Sequence, residues 1–234
     1  MTTPALGSHH LSAACSNEKT GARSSAGIAD EEVAHFEQIV RPRPGMTAVD
    51  LACGTGRWTR RLAAWGMTVT GFDSCDAALA QAQAAGSYQG LSYMRWDIVA
   101  DPIPAELGPG QFDIVTCRYG LQSLEPGRLL TDVGRWLKPN GIFYALVRVD
   151  PGHGPADRHP RTDLGEQFTE VSPFSVTDEY VRRLGVGWAY RAVHELGPHR
   201  RVIVLSEYGA DGGRCLTPQP AALIGERFRP VLHP

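Results

Sequence analysis

Apolar side chains recur with a helical period at Val33, Phe36, Ile39 and Val40, and Asp30 stands where a capping side chain belongs. Arg41-Pro42-Arg43-Pro44-Gly45 ends that helix. The pattern then alternates between short apolar runs and helix-period segments. Residues 47–51 read as a buried strand, 56–65 as a helix, 68–72 as a strand and 76–85 as a helix. Residues 91–96 and 112–117 read as a third and a fourth strand. Residues 129–137 are helical in pattern, and Pro139-Asn140-Gly141 turns into the apolar strand 142–149. Strands separated by helices at this spacing predict right-handed crossovers and a mostly parallel sheet covered on both faces.

The last third follows another rule. Residues 150–161 hold three Pro, two Gly and two His and read as a loop; Ser175 or Thr177 then caps a helix running to Leu184. Strands at 188–194 and 201–208 are joined by residues 195–200 alone, which is a hairpin, so the final strand is expected antiparallel to its neighbour. The expected fold is therefore α/β: a doubly wound, seven-stranded, mostly parallel sheet with an antiparallel final strand. Residues 1–27, rich in Ser, Ala, Gly and Thr, read as a flexible flap, 28–208 as one domain and 209–234 as an extended tail. His9-His10 in the flap suggests a metal or tag remnant less than a pair of solvated side chains.

With 234 residues, 42% of them hydrophobic, the chain can bury a full core as one domain. A formal net charge of -2 gives no reason to expect nucleic acid, which selects for a basic surplus. No apolar run is long enough to span a bilayer and no secretory pattern opens the chain, so no membrane is expected. Five scattered cysteines without a CxxC pair suit free thiols in a reducing cytoplasm, not a disulfide framework or a zinc site; no metal is expected. Lys19 and Lys138 are the only lysines, which with abundant Ala and Gly points to a GC-rich genome.

The chemistry concentrates where the first strand ends, in Asp50-Leu51-Ala52-Cys53-Gly54-Thr55-Gly56. A buried strand feeding glycines and a helix start is a place for a nucleotide-like ligand, because ligands sit at the carboxyl ends of parallel strands. The dinucleotide fingerprint GxGxxG/A is only partly met: Gly54 and Gly56 fit, but Thr59 takes the third position. Asp50 would repel a pyrophosphate and suits a ligand with an ammonium group.

That segment resembles the first motif of the class I S-adenosylmethionine-dependent methyltransferases, with Ala52 in place of the usual first glycine. The resemblance continues in order over about residues 33–208. Gly71-Phe72-Asp73 resembles the second motif, in which a carboxylate accepts from both ribose hydroxyls. Trp96-Asp97-Ile98 resembles the adenine site, with Asp97 accepting from the exocyclic amine and Ile98 offering its N–H; alternatively Asp97 simply caps the loop toward Pro102. Phe112-Asp113-Ile114-Val115-Thr116-Cys117-Arg118-Tyr119 resembles the fourth-strand motif, with Asp113 structural and the Cys117 carbonyl facing the methionine part. Leu137-Lys138-Pro139-Asn140-Gly141-Ile142 resembles the turn before the fifth strand. The resemblance implies S-adenosylmethionine as cofactor, S-adenosylhomocysteine as product, and a site of Asp50, Ala52, Cys53, Gly54, Gly56, Trp58, Asp73, Ser74, Asp97, Ile98 and Cys117.

The reaction implied is in-line attack on the methyl carbon of a sulfonium, for which alignment and exclusion of water suffice. Aromatic faces stabilise a cationic centre, and Trp58 and Tyr119 fall either near the methyl end or in the core. No base is marked. Tyr119, Gln122 and Glu125 follow the fourth strand, and His153 and His159 lie in the loop after the fifth; a histidine could take a proton from a hydroxyl or amine, although loop histidines are ordinarily just solvated. An Asn-Pro-Pro-Tyr-type sequence is absent, and Cys117-Arg118-Tyr119-Gly120 stands there instead. The expected acceptor is a small molecule or peptide-like compound, in a chain that resembles tailoring methyltransferases of bacterial secondary metabolism. An RNA or protein acceptor, an NAD-dependent oxidoreductase and a non-catalytic cofactor-binding protein are the alternatives.

Overall fold

The computed structural model describes residues 27–121, 124, 126–149, 180–181 and 184–209. Four helices and seven strands follow in the order α1 (Asp30–Val40), β1 (Thr47–Leu51), α2 (Arg57–Ala64), β2 (Thr68–Asp73), α3 (Asp76–Ala84), β3 (Leu91–Arg95), β4 (Phe112–Arg118), α4 (Pro126–Trp136), β5 (Leu137–Arg148), β6 (Trp188–Glu195) and β7 (Arg200–Tyr208). One sheet contains all seven strands in the order β3-β2-β1-β4-β5-β7-β6. β1 to β5 pair in parallel, and β7 enters antiparallel between β5 and β6. The expected doubly wound architecture and its antiparallel last strand are both present.

Alternation along the strands divides the core between the two sheet faces. Val49, Leu51 and Val115 point into one cluster with Leu129, Leu130 and Val133 of α4. Ala48, Ile114, Tyr144 and Leu146 point into the other, under Phe36 of α1 and Trp58 and Leu62 of α2. A period-2 strand between two period-3.6 helix stripes produces this three-layer arrangement.

Two local expectations are corrected. Asp30 does not cap α1: the N-cap is Ala29, in extended conformation with no side-chain hydrogen bond, and Asp30, Glu31 and Glu32 form the first turn. Their charges favour the positive helix end without a cap. Pro139-Asn140-Gly141 does not precede β5 but interrupts its pairing. Phe112 pairs with Leu137 and Ile114 with Ile142, so residues 138–141 bow out of register as a bulge. Lys138 at its start donates to Oδ2 of Asp113 at 2.8 Å, and the N–H and hydroxyl of Thr47 donate to the same oxygen at 2.8 and 2.9 Å. Asp113 thus fastens the amino ends of β1, β4 and β5 together. Residues 150–161, the helix expected from 175 or 177, and both termini fall almost wholly outside the described residues; Tyr180 and Val181 are helical.

Candidate functional site

The strand order reverses between β1 and β4, whose neighbours on either side are β2 and β5. A crevice for a ligand opens outside the carboxyl ends of the strands at such a switch point, and the sequence motifs converge there. β1 ends in Leu51 and passes into a turn with three left-handed residues, Ala52 (φ 54°), Gly54 (φ 54°) and Gly56 (φ 69°). Gly56 is the N-cap of α2. A side chain there would collide with the Tyr93 ring, its Cβ falling 2.3 Å from the phenol oxygen. Gly54 is different, since a Cβ built on it would meet nothing within 4 Å. Its backbone faces open space.

Asp73, at the end of β2, holds this turn. Its Oδ2 accepts from the Gly54 N–H at 2.8 Å and its Oδ1 from the Cys75 N–H at 2.9 Å. A carboxylate has about four acceptor positions, so capacity remains for ligand hydroxyls on the open side. Ser74 follows directly, half-buried. Cys53 donates its N–H to the Phe72 carbonyl at 3.0 Å, and its thiol is pushed well above the ordinary range by burial and by the neighbouring Asp50 and Asp73 carboxylates. Gly71, in mid-β2, allows this packing: a Cβ on it would lie 3.0 Å from Cys53 Sγ, Thr59 Cγ2 and Tyr93 Cδ1.

Asp50 lies beneath the turn, 1% exposed. Thr59 donates to its Oδ2 at 2.6 Å and Thr116 to its Oδ1 at 2.8 Å. Thr59, at the third fingerprint position, is therefore a partner of Asp50. Burial pushes the Asp50 carboxyl up to about 6, against the two hydroxyl hydrogen bonds and the Arg118 charge, which pull it down. Trp58 is also inside, 2% exposed, edge-on to Phe36 at 5.0 Å and to Trp65 at 5.9 Å. The structure thus places it in the core. Cys117 is fully buried, and its thiol is pushed up to about 12 by burial and the Asp50 charge.

Asp97 does cap its loop. Oδ1 accepts from the N–H groups of Val99 at 3.0 Å and Ala100 at 3.2 Å, and Ile98 packs at the margin of the α4-side core. Only one oxygen is used in this way. Tyr119 follows β4 in a left-handed conformation (φ 57°), its N–H donating to the Leu146 carbonyl at 2.7 Å. Of the acceptor-side candidates Tyr119 alone is described; Gln122, Glu125, His153 and His159 lie outside the described residues.

An ion pair absent from the sequence expectations borders this region. Nε and Nη2 of Arg118 donate to the two oxygens of Glu32 at 2.5 and 2.9 Å, tying α1 to the end of β4. Glu32 is 1% exposed. The Arg118 guanidinium lies 5.1 Å from the Trp58 ring and 5.5 Å from the Tyr119 ring. Nothing local distinguishes Glu32 from Glu31, so no sequence pattern could have paired it with Arg118.

The turn fits a nucleoside bearing an amino-acid chain: an open glycine edge, a carboxylate with spare acceptor positions beside it, and a buried negative charge beneath. Residues 49–145 match a family model described as a methyltransferase domain. The ubiquinone biosynthesis O-methyltransferase of Pseudomonas syringae pv. tomato is 34% identical over 109 residues, covering 46% of this chain and 47% of that protein. That of Pseudomonas paraeruginosa is 33% identical over the same length, again covering 46% and 47%. The chain spans about half the length of the curated relatives it matches. Among solved structures, phosphoethanolamine N-methyltransferase 2 of Haemonchus contortus, in complex with S-adenosyl-L-methionine, superposes with a TM-score of 0.63 at 16% identity, covering 76% of this chain and 52% of that one. A SAM-dependent methyltransferase from Aquifex aeolicus gives 0.54 at 15% identity, with 75% and 88% covered. At these identities the two structures speak for the fold.

Proposed function

We propose, from the premise that this chain carries a class I S-adenosylmethionine-dependent methyltransferase domain, that it methylates a hydroxyl oxygen of a small or medium-sized acceptor. The observation that carries the reading is the Gly54–Asp73 bridge, which leaves an open backbone edge beside a carboxylate with acceptor capacity to spare. The choice of oxygen draws support from the O-methyltransferase relatives.

S-Adenosylmethionine, when bound, supplies a methyl group already activated on a sulfonium and departs as S-adenosylhomocysteine. The work of the chain is positioning. Ala52, Cys53, Gly54 and Gly56 offer backbone to the amino-acid part, Asp73 and Ser74 accept from the ribose hydroxyls, and Asp97 and Ile98 flank the adenine. Asp50 acts through its field rather than by contact, its charge lying below the turn and favouring an ammonium group above it. Trp58 supports the turn from the core, and the Cys117 carbonyl and Tyr119 border the methyl end. Residues 28–208 act as one domain in this reading.

A secondary metabolite is the acceptor class we favour, in keeping with the arginine-rich, lysine-poor composition, and the near-neutral charge favours a small acceptor over nucleic acid. A cytoplasmic site of action belongs to the same reading, in keeping with the free thiols Cys53 and Cys117. Among the described residues no helix is long and apolar enough to cross a membrane. The test is incubation with methyl-labelled S-adenosylmethionine and a metabolite extract of the producing cell, followed by mass identification of the labelled product. A small labelled methyl ether is expected. Calorimetry showing NAD binding and none of S-adenosylhomocysteine would overturn the reading, and label confined to RNA or protein would overturn the acceptor.

A further inference from the structure

The Tyr119 ring is flanked by two guanidinium groups, Arg118 at 5.5 Å and Arg148 at 5.6 Å. Both come from carboxyl ends of neighbouring parallel strands. Arg118 closes β4 in register with Leu146, and Arg148 lies one same-face step further along β5. This is the half of the crevice that the glycine turn over β1 and β2 leaves free.

The two cations are not equivalent. Arg118 is largely buried, and Glu32 occupies two of its donors and cancels its charge. Arg148 is exposed and pairs with no carboxylate among the described residues. The other described carboxylates near these strand ends meet other groups, Asp50 two hydroxyls and Asp73 two N–H groups, and neither pairs with Arg148. Among the described residues this positive charge is therefore uncompensated, and it stands beside an aromatic ring whose backbone is held in a strained, left-handed conformation. Strain of this kind concentrates where a side chain must be presented to a ligand. A guanidinium fork selects planar or tetrahedral oxyanions and binds them through two parallel hydrogen bonds.

We propose that the acceptor carries an oxyanion, carboxylate or phosphate, which Arg148 grips while the Tyr119 ring packs beneath. This rests on the methyl-transfer reading for its function but not for its test. Benzoate, phenyl phosphate and the uncharged isostere benzamide are titrated by ligand-observed NMR, with and without S-adenosylhomocysteine. At least one anion is expected to bind tenfold or more tighter than benzamide, about the effect of a charge-assisted hydrogen bond. Which anion leads distinguishes carboxylate from phosphate. Arg148→Gln is expected to abolish the preference and Arg148→Lys to restore part of it. Equal binding of benzoate, phenyl phosphate and benzamide, or a preference that survives Arg148→Gln, overturns the proposal. S-Adenosylhomocysteine that fails to bind while the Arg148-dependent preference persists overturns the methyl-transfer reading alone.

Discussion

The backbone N–H of Gly54 donates to Oδ2 of Asp73 at 2.8 Å, so the carboxylate that ends β2 also shapes the turn that ends β1. The two strands are in parallel register immediately before this contact, Leu51 opposite Phe72. Asp73 therefore has one duty to the turn, and under the proposed function a second to the ligand.

Removing the Asp73 carboxylate should accordingly weaken cofactor binding doubly. Asp73→Ala is expected to raise the S-adenosylhomocysteine dissociation constant by roughly tenfold or more, the loss of at least one charge-assisted hydrogen bond. Asp73→Asn, which can still accept from Gly54, should fall between. Calorimetry reads both, and unchanged affinity in Asp73→Ala would mean that β2 does not deliver the ribose contact.

Glu32 and Arg118 predict a stability effect that can be read without any ligand. Leaving one member of a buried ion pair without its partner costs about 3–5 kcal/mol. Glu32→Gln should lower stability by an amount of that order in urea denaturation, and Glu32→Gln with Arg118→Met should recover much of it. A double variant as unstable as the sum of its single changes would show that the pair does not interact as described.

Asp50 and His35 give opposite pH dependences. Asp50 has its folded pKa raised to about 6 from 3.8, so its contribution to stability is greatest below pH 3.8 and declines as pH rises through 6. His35 stands 3.1 Å from the Tyr144 hydroxyl, its ring centroid 4.8 Å from that of His194. Burial and the His194 charge lower its pKa to about 4, opposed by Glu31. Its contribution is complete above pH 6.5 and is lost as pH falls through 4. Denaturation between pH 4 and 7 should show Asp50→Asn flattening the first trend and His35→Gln the second. Parallel profiles for both variants and the unaltered protein would remove the basis for these assignments.

Ala52 and Gly120 make a more local test. A Cβ on Gly120 would fall 2.5 Å from the Ala52 Cβ, and Ala52 itself is left-handed, a conformation that costs a residue with a side chain roughly 1–2 kcal/mol. Gly120→Ala should destabilise the protein clearly, and far less in an Ala52→Gly background. A penalty independent of residue 52 would show that the two backbones do not approach as closely as described.

The glycine turn and its carboxylate partner were legible in the sequence because their rules are local. An apolar run that stops at small residues, then a helix start, then an acidic residue one strand later can be read within a short window, and Gly54, Gly56 and Asp73 come together accordingly. Asp30 shows where even local reading fails, since an acidic first turn resembles a capped one when Glu32 is in fact turned inward. The contacts that hold α1 against the sheet join distant segments and were not legible. Glu32 meets Arg118 across 86 positions and His35 meets Tyr144 across 109, and no periodicity encodes either meeting. Trp58 was ambiguous for a simpler reason: an aromatic residue in the first turn of a helix after a glycine turn suits either a ligand or a core, and its packing against Phe36 of α1 decides.

The placement of β7 between β5 and β6 has a consequence for synthesis. A chain leaving the ribosome folds from its amino end, and β1 to β4 are complete once Arg118 has emerged. β5 can then join β4, but its outer edge, Phe143 to Val147, stays bare until Arg200–Tyr208 arrives to cover it. A long apolar edge with unpaired backbone is a template for association with other chains. The nascent protein therefore passes through an interval in which the half carrying the glycine turn is assembled and the sheet is still open to aggregation, and a chain cut short before Trp188 would remain there.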